Sequence, residues 1–237
     1  MRTRVLLLHG AWHDAHAWES VVDSLRDSGD NLDIEAINLP GLGRAQGGHT
    51  LRDHSAYLRT IIGSSDQPTL LVAHSYGGAV ATEALDQIVS VDRILFVTAF
   101  ALPAGLSCMR MNDSAEGSES DSDAFVVDGD YVLMPPDAAI AAFYNDLPRA
   151  QALQWAGRLK PEHHDTVYAR THQTAWRTIP HGYVICTEDS GILPSVQRQM
   201  AESSDRLYEL AAGHSPMLSR PIELADIILR EASALTG

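Results

Sequence analysis

The 237-residue sequence has few cationic side chains and only two cysteines. It carries 17 Lys and Arg against 31 Asp and Glu, which gives a formal net charge of −14 at pH 7. Nucleic acids and anionic membranes reward clustered Lys and Arg, so this balance argues against both as partners. Cys108 and Cys186 lie far apart in the chain. We interpret them as buried free thiols, which predicts a reducing, cytoplasmic setting.

Long apolar runs are also missing, and no stretch approaches the ~20 residues that a membrane-spanning helix needs. The apolar start, residues 5–8, is too short for a secretion signal and ends in His9-Gly10. We therefore interpret it as a first strand. A hydrophobic fraction of 45% and a length of 237 residues suit one domain with a sizeable buried core. The chain contains no internal repeat and no linker that would divide it.

Residues 69–78 read Thr-Leu-Leu-Val-Ala-His-Ser-Tyr-Gly-Gly, an apolar strand that turns at Ser75 directly into a small-residue helix. Such a turn strains the backbone of its corner residue and requires small neighbours, which Ala73 and Gly77 supply. The pattern matches a nucleophile elbow in which Ala73 replaces the first glycine. Taken alone, the match is weak, because an ordinary strand-to-helix turn has the same pattern more often.

Strands and helices alternate on both sides of this segment, which predicts a doubly wound, mostly parallel sheet of six strands. The alternation stops from about Pro103 to Pro180. We predict a core from residues 1–102 and 181–237, with a cap of helices and a hairpin, residues 103–180, inserted after the fourth strand. The predicted strands are 5–8, 33–38, 70–72, 93–98, 182–187 and 206–210, and the predicted helices are 17–25, 51–62, 78–85, 194–202 and 221–234.

Within the cap, residues 112–123 are rich in Ser, Asp and Glu and predict a mobile, solvated loop. Residues 125–133 predict a hairpin with an Asp-Gly turn, and helices are expected at 136–144 and 149–159. Most apolar cap residues bury the cap against the core. The predicted lining of a substrate pocket is Trp12, Phe143, Tyr144 and Trp155.

Reactive residues follow several predicted strands at the carboxyl edge of the sheet, where active sites of open parallel sheets lie. Ser75 follows the third strand, Asp189 the fifth and His214 the sixth. A serine hydroxyl needs a base to take its proton, and a carboxylate holds the imidazole in the required tautomer. We predict a catalytic triad of these three residues.

The acid of this triad has rivals. Glu188 precedes Asp189 directly, and the two carboxylates point in different directions. Asp146 and Asp165 are weaker candidates because they belong to the cap. The residues alone leave this choice open.

An acyl-transfer site also needs backbone N–H donors for the oxyanion. Tyr76, directly after the nucleophile, and Ala11, in the loop after the first strand, are the predicted donors, and Gly10 lets that loop approach closely. No cofactor is expected. His9, His13 and His16 offer a minor metal interpretation, but no Cys or carboxylate completes a set at ligand spacing. We expect His9, Trp12, His13 and His74 to pack the loops and form a polar rim.

At this point the chain resembles the α/β-hydrolase superfamily, and within it the branch of plant methylesterases, hydroxynitrile lyases and bacterial esterases. The resemblance implies the α/β-hydrolase fold and favours Asp189 over Glu188 as the acid. The serine nucleophile argues against dehalogenases and epoxide hydrolases, which use aspartate. The matching segments are residues 7–13 (LLHGAWH), 38–43 (NLPGLG), 72–78 (VAHSYGG), 143–146 (FYND), 183–189 (YVICTED) and 213–219 (GHSPMLS).

Two departures from the lyases bear on function. The lyases of this branch carry a threonine where this chain has Gly10, and a lysine where it has Ser215. We therefore predict a serine hydrolase that cleaves small, fairly apolar carboxylic esters through an acyl-enzyme. The alternatives are a C–C bond hydrolase or lyase-like enzyme, and a ligand receptor that retains the triad. The predicted partner is a small-molecule ester, and a homodimer stays an open alternative.

Overall fold

The computed structural model describes residues 2–45, 47, 49–113 and 125–235. Two sheets are found in these ranges. The large sheet has the order β2-β1-β3-β4-β8-β9 with every neighbouring pair parallel, and the small antiparallel sheet has the order β5-β6-β7. The strands are β1 (Thr3–Leu8), β2 (Leu32–Ile37), β3 (Thr69–Ser75), β4 (Arg93–Ala99), β5 (Val126–Asp128), β6 (Tyr131–Leu133), β7 (Glu162–His163), β8 (His181–Cys186) and β9 (Arg206–Leu210).

Helices cover both faces of the large sheet, as a doubly wound fold requires. All residues of the central strands β1, β3 and β4 are buried. Side chains alternate between two hydrophobic clusters: Leu6 and Leu71 belong to one, whereas Val5 and Leu70 belong to the other. Continuous runs of branched apolar residues therefore form these strands, because both faces are covered. The predicted parallel sheet of six strands is confirmed.

The helices of the core lie where the 3.6-residue periodicity placed them, with ends shifted by a residue or two. α2 begins after a capping box in which Thr50 and Asp53 bond each other's backbone N–H. The helices are α1 (Glu19–Asp27), α2 (Leu51–Ile62), α3 (Tyr76–Ala84), α4 (Cys108–Asn112), α5 (Pro136–Phe143), α6 (Arg149–Ala156), α7 (Asp165–Tyr168), α8 (Pro194–Ala201), α9 (Pro216–Ser219) and α10 (Pro221–Ser233), with 3-10 turns at Ala15–Trp18 and Ala175–Thr178.

Between β4 and β8 the chain forms the small sheet and several short helices. The predicted hairpin is confirmed: Asp128 pairs with Tyr131, and Gly129 turns the chain at a φ of 64°. The sequence did not predict β7, α4 or α7, since elements this short show no periodicity. Asn112, expected in the acidic loop, ends α4, and residues 114–123 of that loop lie outside the described residues. The division into core and cap at residues 103 and 180 stays a prediction.

Within the described ranges, every helix is too short or too polar to cross a membrane.

Candidate active site

Ser75 ends β3 and precedes α3 at a φ of 52° and a ψ of −124°. A left-handed φ is uncommon for a residue with a side chain, and the surrounding structure has to enforce it. Gly77 and Gly78, two and three residues after Ser75, let the start of α3 pack directly against neighbouring backbone. A Cβ on Gly77 would lie 2.7 Å from the carbonyl oxygen of His9, and one on Gly78 would lie 2.8 Å from the backbone nitrogen of Phe100. The turn therefore presents the serine hydroxyl at the carboxyl edge of the sheet.

The structure brings together Ser75, His214 and Asp189, the three residues of the predicted triad. The Ser75 Oγ lies 3.0 Å from His214 Nε2, and His214 Nδ1 donates to Asp189 Oδ2 at 2.9 Å. All three side chains are buried. The geometry lets the imidazole accept the serine proton while the carboxylate stabilises the resulting positive charge.

Five hydrogen bonds satisfy the buried Asp189 carboxylate. The donors to Oδ1 are the backbone N–H groups of Gly191 (2.7 Å) and Ile192 (2.9 Å), and those to Oδ2 are His214, the Thr98 hydroxyl and the Gln197 amide (3.0 Å). Sequence reasoning missed Thr98 and Gln197. A polar residue next to the end of the buried strand β4 was the available signal for Thr98, whereas nothing local distinguishes Gln197 on α8.

The rival carboxylates lie elsewhere. Glu188 is exposed, and its backbone carbonyl accepts a hydrogen bond from the Asn145 amide at 2.8 Å. Asp146 Oδ2 accepts the N–H of Gly213 at 2.7 Å, next to the base but not on its ring. Asp165 begins α7. The carboxylate in contact with the imidazole is that of Asp189.

Histidines next to the site are buried rather than arranged as a polar rim. His74 Nε2 donates to the carbonyl of His214 at 2.8 Å, and burial lowers the pKa of His74 well below 6.5. Burial also lowers the pKa of His9 and of His13 to about 4. These rings therefore stay neutral at pH 7 and serve as hydrogen-bonding packing residues.

The same bonds bear on the metal interpretation of His9, His13 and His16. His9 bonds the Gly10 carbonyl and the Leu39 N–H, and His13 bonds the Ala11 carbonyl and the Tyr144 hydroxyl. His16 is exposed, beside Asp14 and Glu19. In the part of the chain that the structure describes, no group of three or more His, Cys, Asp and Glu side chains could hold a metal ion.

The depressed histidine pKa values predict acid sensitivity. The unfolded chain binds protons on histidines below about pH 6.5, whereas folded His9 and His13 bind them only near pH 4. The free energy of unfolding should therefore fall as the pH drops from 6.5 towards 4, by up to about 3 kcal/mol for each ring. Urea unfolding at several pH values from 7 to 5 measures this slope.

The variant His9→Gln keeps a donor and an acceptor and should flatten the slope, whereas His172→Gln, at a side chain that is 74% exposed, should leave it unchanged. A wild-type slope that survives His9→Gln in full would contradict this account.

A cavity next to Ser75 encloses about 70 Å³ of space that water could occupy. Trp12 and Phe143, two of the four residues expected in a substrate pocket, line it. Tyr144 and Trp155 do not: the Tyr144 hydroxyl points to His13, and Trp155 faces a separate depression with Arg158 over its ring. The lining is mostly apolar and consists of Ala11, Trp12, Ser75, Tyr76, Phe100, Cys108, Met109, Asn112, Phe125, Met134, Ala142, Phe143, Val167, Gly191, Ile192 and His214.

Ala11 and Tyr76, the predicted oxyanion donors, both line this cavity. Tyr76 is the first residue of α3, where N–H groups have no partner within the helix. The loop of Ala11 comes so close that a Cβ on Gly10 would lie 2.8 Å from the Ser75 Cβ. Glycine at position 10 is thus required for the approach.

Sequence reasoning also missed Glu162, whose buried carboxylate contacts the loop of Ala11. Its Oε2 accepts the backbone N–H of Trp12 at 3.0 Å. Burial raises the pKa of Glu162 to about 7, although hydrogen bonds from the N–H groups of Trp12 and His163 oppose the rise. No pattern in the sequence separates this glutamate from exposed ones.

The chain is similar to known proteins in both sequence and fold. A model of the alpha/beta hydrolase family matches residues 5–227. Methylesterase 9 of Arabidopsis thaliana is 27% identical over 248 residues, covering 96% of this chain and 97% of the relative. Methyl jasmonate esterase 1 of Vitis vinifera is 26% identical over 245 residues, covering 92% of each chain. The crystal structure of polyneuridine aldehyde esterase has a TM-score of 0.80 at 21% identity, covering 97% of this chain and 99% of the other.

The family model spans most of the chain, and the relatives cover nearly all of it. The resemblance drawn from the sequence motifs is thereby confirmed. The chain belongs to the alpha/beta hydrolase family, is similar to methylesterases of that family, and is a hydrolase of the carboxylesterase type.

Proposed function

We propose that this protein hydrolyses small, fairly apolar carboxylic esters through an acyl-enzyme on Ser75, without a cofactor. The observation that carries the proposal is the continuous hydrogen-bonded chain from Ser75 through His214 to Asp189, at 3.0 and 2.9 Å, beside an apolar cavity. Distances of this size allow direct proton transfer without a bridging water.

In the acylation step, the Ser75 Oγ attacks the ester carbonyl carbon while His214 Nε2 takes the hydroxyl proton. The carbonyl oxygen becomes an oxyanion, to which the backbone N–H groups of Ala11 and Tyr76 donate. Donors fixed in place before the reaction stabilise this charge without reorganisation. As the intermediate collapses, His214 returns the proton to the departing alcohol oxygen, and the acyl group stays on Ser75.

Deacylation repeats these events with water. His214 Nε2 takes a proton from a water molecule as its oxygen attacks the acyl carbon, and the same two N–H groups hold the second oxyanion. Collapse breaks the bond to the Ser75 Oγ, which regains its proton from His214. The products are a carboxylic acid and free enzyme, so the proton balance closes over the cycle.

Three features of the cavity support an apolar ester of modest size. Aromatic and aliphatic side chains dominate its lining, and the Phe143 ring lies 5.2 Å from the His214 ring. Among the residues that the structure describes, none of those lining the cavity is Lys, Arg, Asp or Glu. Charged acyl groups would lose hydration without gaining a partner. The named relatives, a methylesterase and a methyl jasmonate esterase, support the same class.

The lyase alternative is less well supported at Gly10 and Ser215. A side chain at position 10 would start 2.8 Å from the Ser75 Cβ, and Ser215 offers no charge for a leaving cyanide. A substrate panel that contains cyanohydrins beside short p-nitrophenyl esters separates the two chemistries. Ester turnover without cyanide release is the expected result.

Labelling with a small fluorophosphonate, read by intact-protein mass, tests the proposal. The wild type should gain one adduct because His214 activates the Ser75 hydroxyl, and Ser75→Ala should gain none. Ser20→Ala, at an exposed position of α1, is the matched control and should label like the wild type. An unlabelled wild type that also fails to turn over esters would overturn the proposal. A large ligand-induced rise in Tm would then favour the receptor alternative.

A further inference from the structure

Trp12 directly follows the oxyanion donor Ala11 and has a φ of 62°. This conformation is rare for a bulky residue and persists only where neighbouring groups over-determine it. The hydrogen bonds of the main sheet do not reach Trp12, because β1 ends four residues earlier, at Leu8. The groups that hold Trp12 come from the segment between β4 and β8.

Three hydrogen bonds, each 3.0 Å long, fix the polar groups of Trp12. Its backbone N–H donates to Glu162 Oε2, its carbonyl accepts the N–H of Lys160, and its indole N–H donates to the carbonyl of Val132. Val132 lies on β6, and Glu162 lies on the paired strand β7. Two of these three bonds thus come from the small antiparallel sheet, and the third comes from Lys160, two residues before β7.

Of the three groups that bond Trp12, only the Glu162 carboxylate belongs to a side chain. Burial and strand pairing hold this carboxylate in one position. The residue is only 6% exposed, and Val132 pairs with it across the sheet. The ring of Trp12 is held as well, stacked on Phe125 at 5.4 Å and tilted against Phe143 at 5.7 Å. A rotation of the Trp12 peptide would break the bond to Glu162 and redirect the adjoining Ala11 unit.

We propose that Glu162 is a positioning residue for the oxyanion hole, holding the Trp12 N–H so that the Ala11 N–H faces the cavity. This inference rests on the proposed function, because it assigns Ala11 as an oxyanion donor. The position of the Ala11 N–H then depends on the small sheet, because the loop is held only while β6 and β7 contact it.

The test compares Glu162→Met, which keeps the volume but removes the acceptor, with Glu162→Gln, which retains an acceptor oxygen. Glu162→Met should lower kcat and kcat/KM for p-nitrophenyl acetate by the same factor, because the lost interaction forms only in the transition state. Loss of one oxyanion donor costs about 10²- to 10³-fold, so a decrease of about tenfold or more is expected. Glu162→Gln should restore most of the rate.

Glu83 provides the matched control. This glutamate of α3 accepts the backbone N–H groups of His172 (2.6 Å) and Gln173 (3.4 Å), so it ties the same inserted segment to the core away from Trp12. Glu83→Met should change kcat little. Equal losses for Glu83→Met and Glu162→Met would overturn the proposal in favour of general loosening, as would a Glu162→Met enzyme with wild-type kcat.

Failure of this inference is distinguishable from failure of the proposed function. If the wild type neither labels nor turns over esters, the proposed function is wrong. If the wild type is active and Glu162→Met retains its kcat, only the positioning role is wrong. Should Glu162→Met not fold, Glu162→Asp keeps a carboxylate but withdraws it from the Trp12 N–H by one methylene group, and it should also lower kcat. An unchanged kcat in that folded variant would overturn the proposal.

Discussion

Asp189→Asn is expected to lower kcat/KM for esters by about 10⁴, with little change in fold. The reason lies in the donors around the carboxylate. Two backbone N–H groups point at Oδ1, so the new amide nitrogen has to occupy the Oδ2 position, which faces His214 Nδ1. There it donates to the ring and forces the imidazole proton onto Nε2. A ring protonated at Nε2 cannot accept the Ser75 proton.

Gln197 cannot readily adjust to this change. Its Nε2 donates to Asp189 and to the carbonyl of Ile192, while its Oε1 accepts the N–H of Cys186. Reversing the amide to accept from an asparagine would leave these backbone groups facing the wrong atoms, which costs free energy in a buried site. The variant therefore loses the Gln197 bond to position 189, whereas the two immobile backbone N–H groups at Oδ1 still set the orientation of the asparagine.

Steady-state kinetics, together with the rate of fluorophosphonate labelling, measures this effect. Glu188→Gln is the matched control, because it neutralises the neighbouring exposed carboxylate and should retain nearly full activity. A loss below about tenfold for Asp189→Asn, or equal losses in the two variants, would assign the acid elsewhere and contradict the triad.

The second large effect concerns the stability of the fold. It arises at the amino end of the central strand β4, away from the active site. Arg93→Met is expected to lower the free energy of unfolding by about 3 kcal/mol, because it leaves the buried Glu231 carboxylate with only the Tyr208 hydroxyl and the more distant Arg206 guanidinium at 3.5 Å. The Arg93 side chain is 5% exposed and that of Glu231 is fully buried. Arg93 Nε donates to Glu231, and its two terminal nitrogens form a bidentate pair with Asp205 at 2.9 and 2.7 Å.

Urea unfolding at pH 7 measures this loss. Asp205→Asn is the comparison: its side chain is 50% exposed, so the variant should lose about 1 kcal/mol or less. The double variant Arg93→Met/Glu231→Leu removes both buried charges and should recover much of the stability. If the double variant were as unstable as Arg93→Met alone, packing rather than charge would explain the effect.

Much of the fold could be predicted because its signals are local. Buried parallel strands need continuous branched apolar runs, and the residues that end those runs carry the chemistry. Ser75 and Asp189 follow such runs and His214 follows β9, whose residues are mostly exposed, so the parallel topology placed all three at one end of the strands. The chemistry of a hydroxyl, an imidazole and a carboxylate then indicated their roles.

What escaped prediction depends on contacts between distant segments. Glu162 meets Trp12 across 150 positions, and Thr98 meets Asp189 across 91. Neither pairing leaves a periodic or compositional trace. Tyr144 was expected in the pocket because it is aromatic, yet its hydroxyl requires a partner when buried and finds His13. The short elements between β4 and β8 likewise depend on tertiary packing rather than on local propensity.

The outer strands of the large sheet have a consequence for self-association. In the described residues, β2 and β9 form its two edges, and such edges expose unpaired backbone groups that could template pairing with a second copy. Both strands carry charged side chains: Asp33 and Glu35 on β2, and Arg206 and Glu209 on β9. Joining two edges would strip water from these ions. The charged edge strands therefore disfavour edge-to-edge pairing of copies into fibrils, and the net charge of −14 adds repulsion between copies.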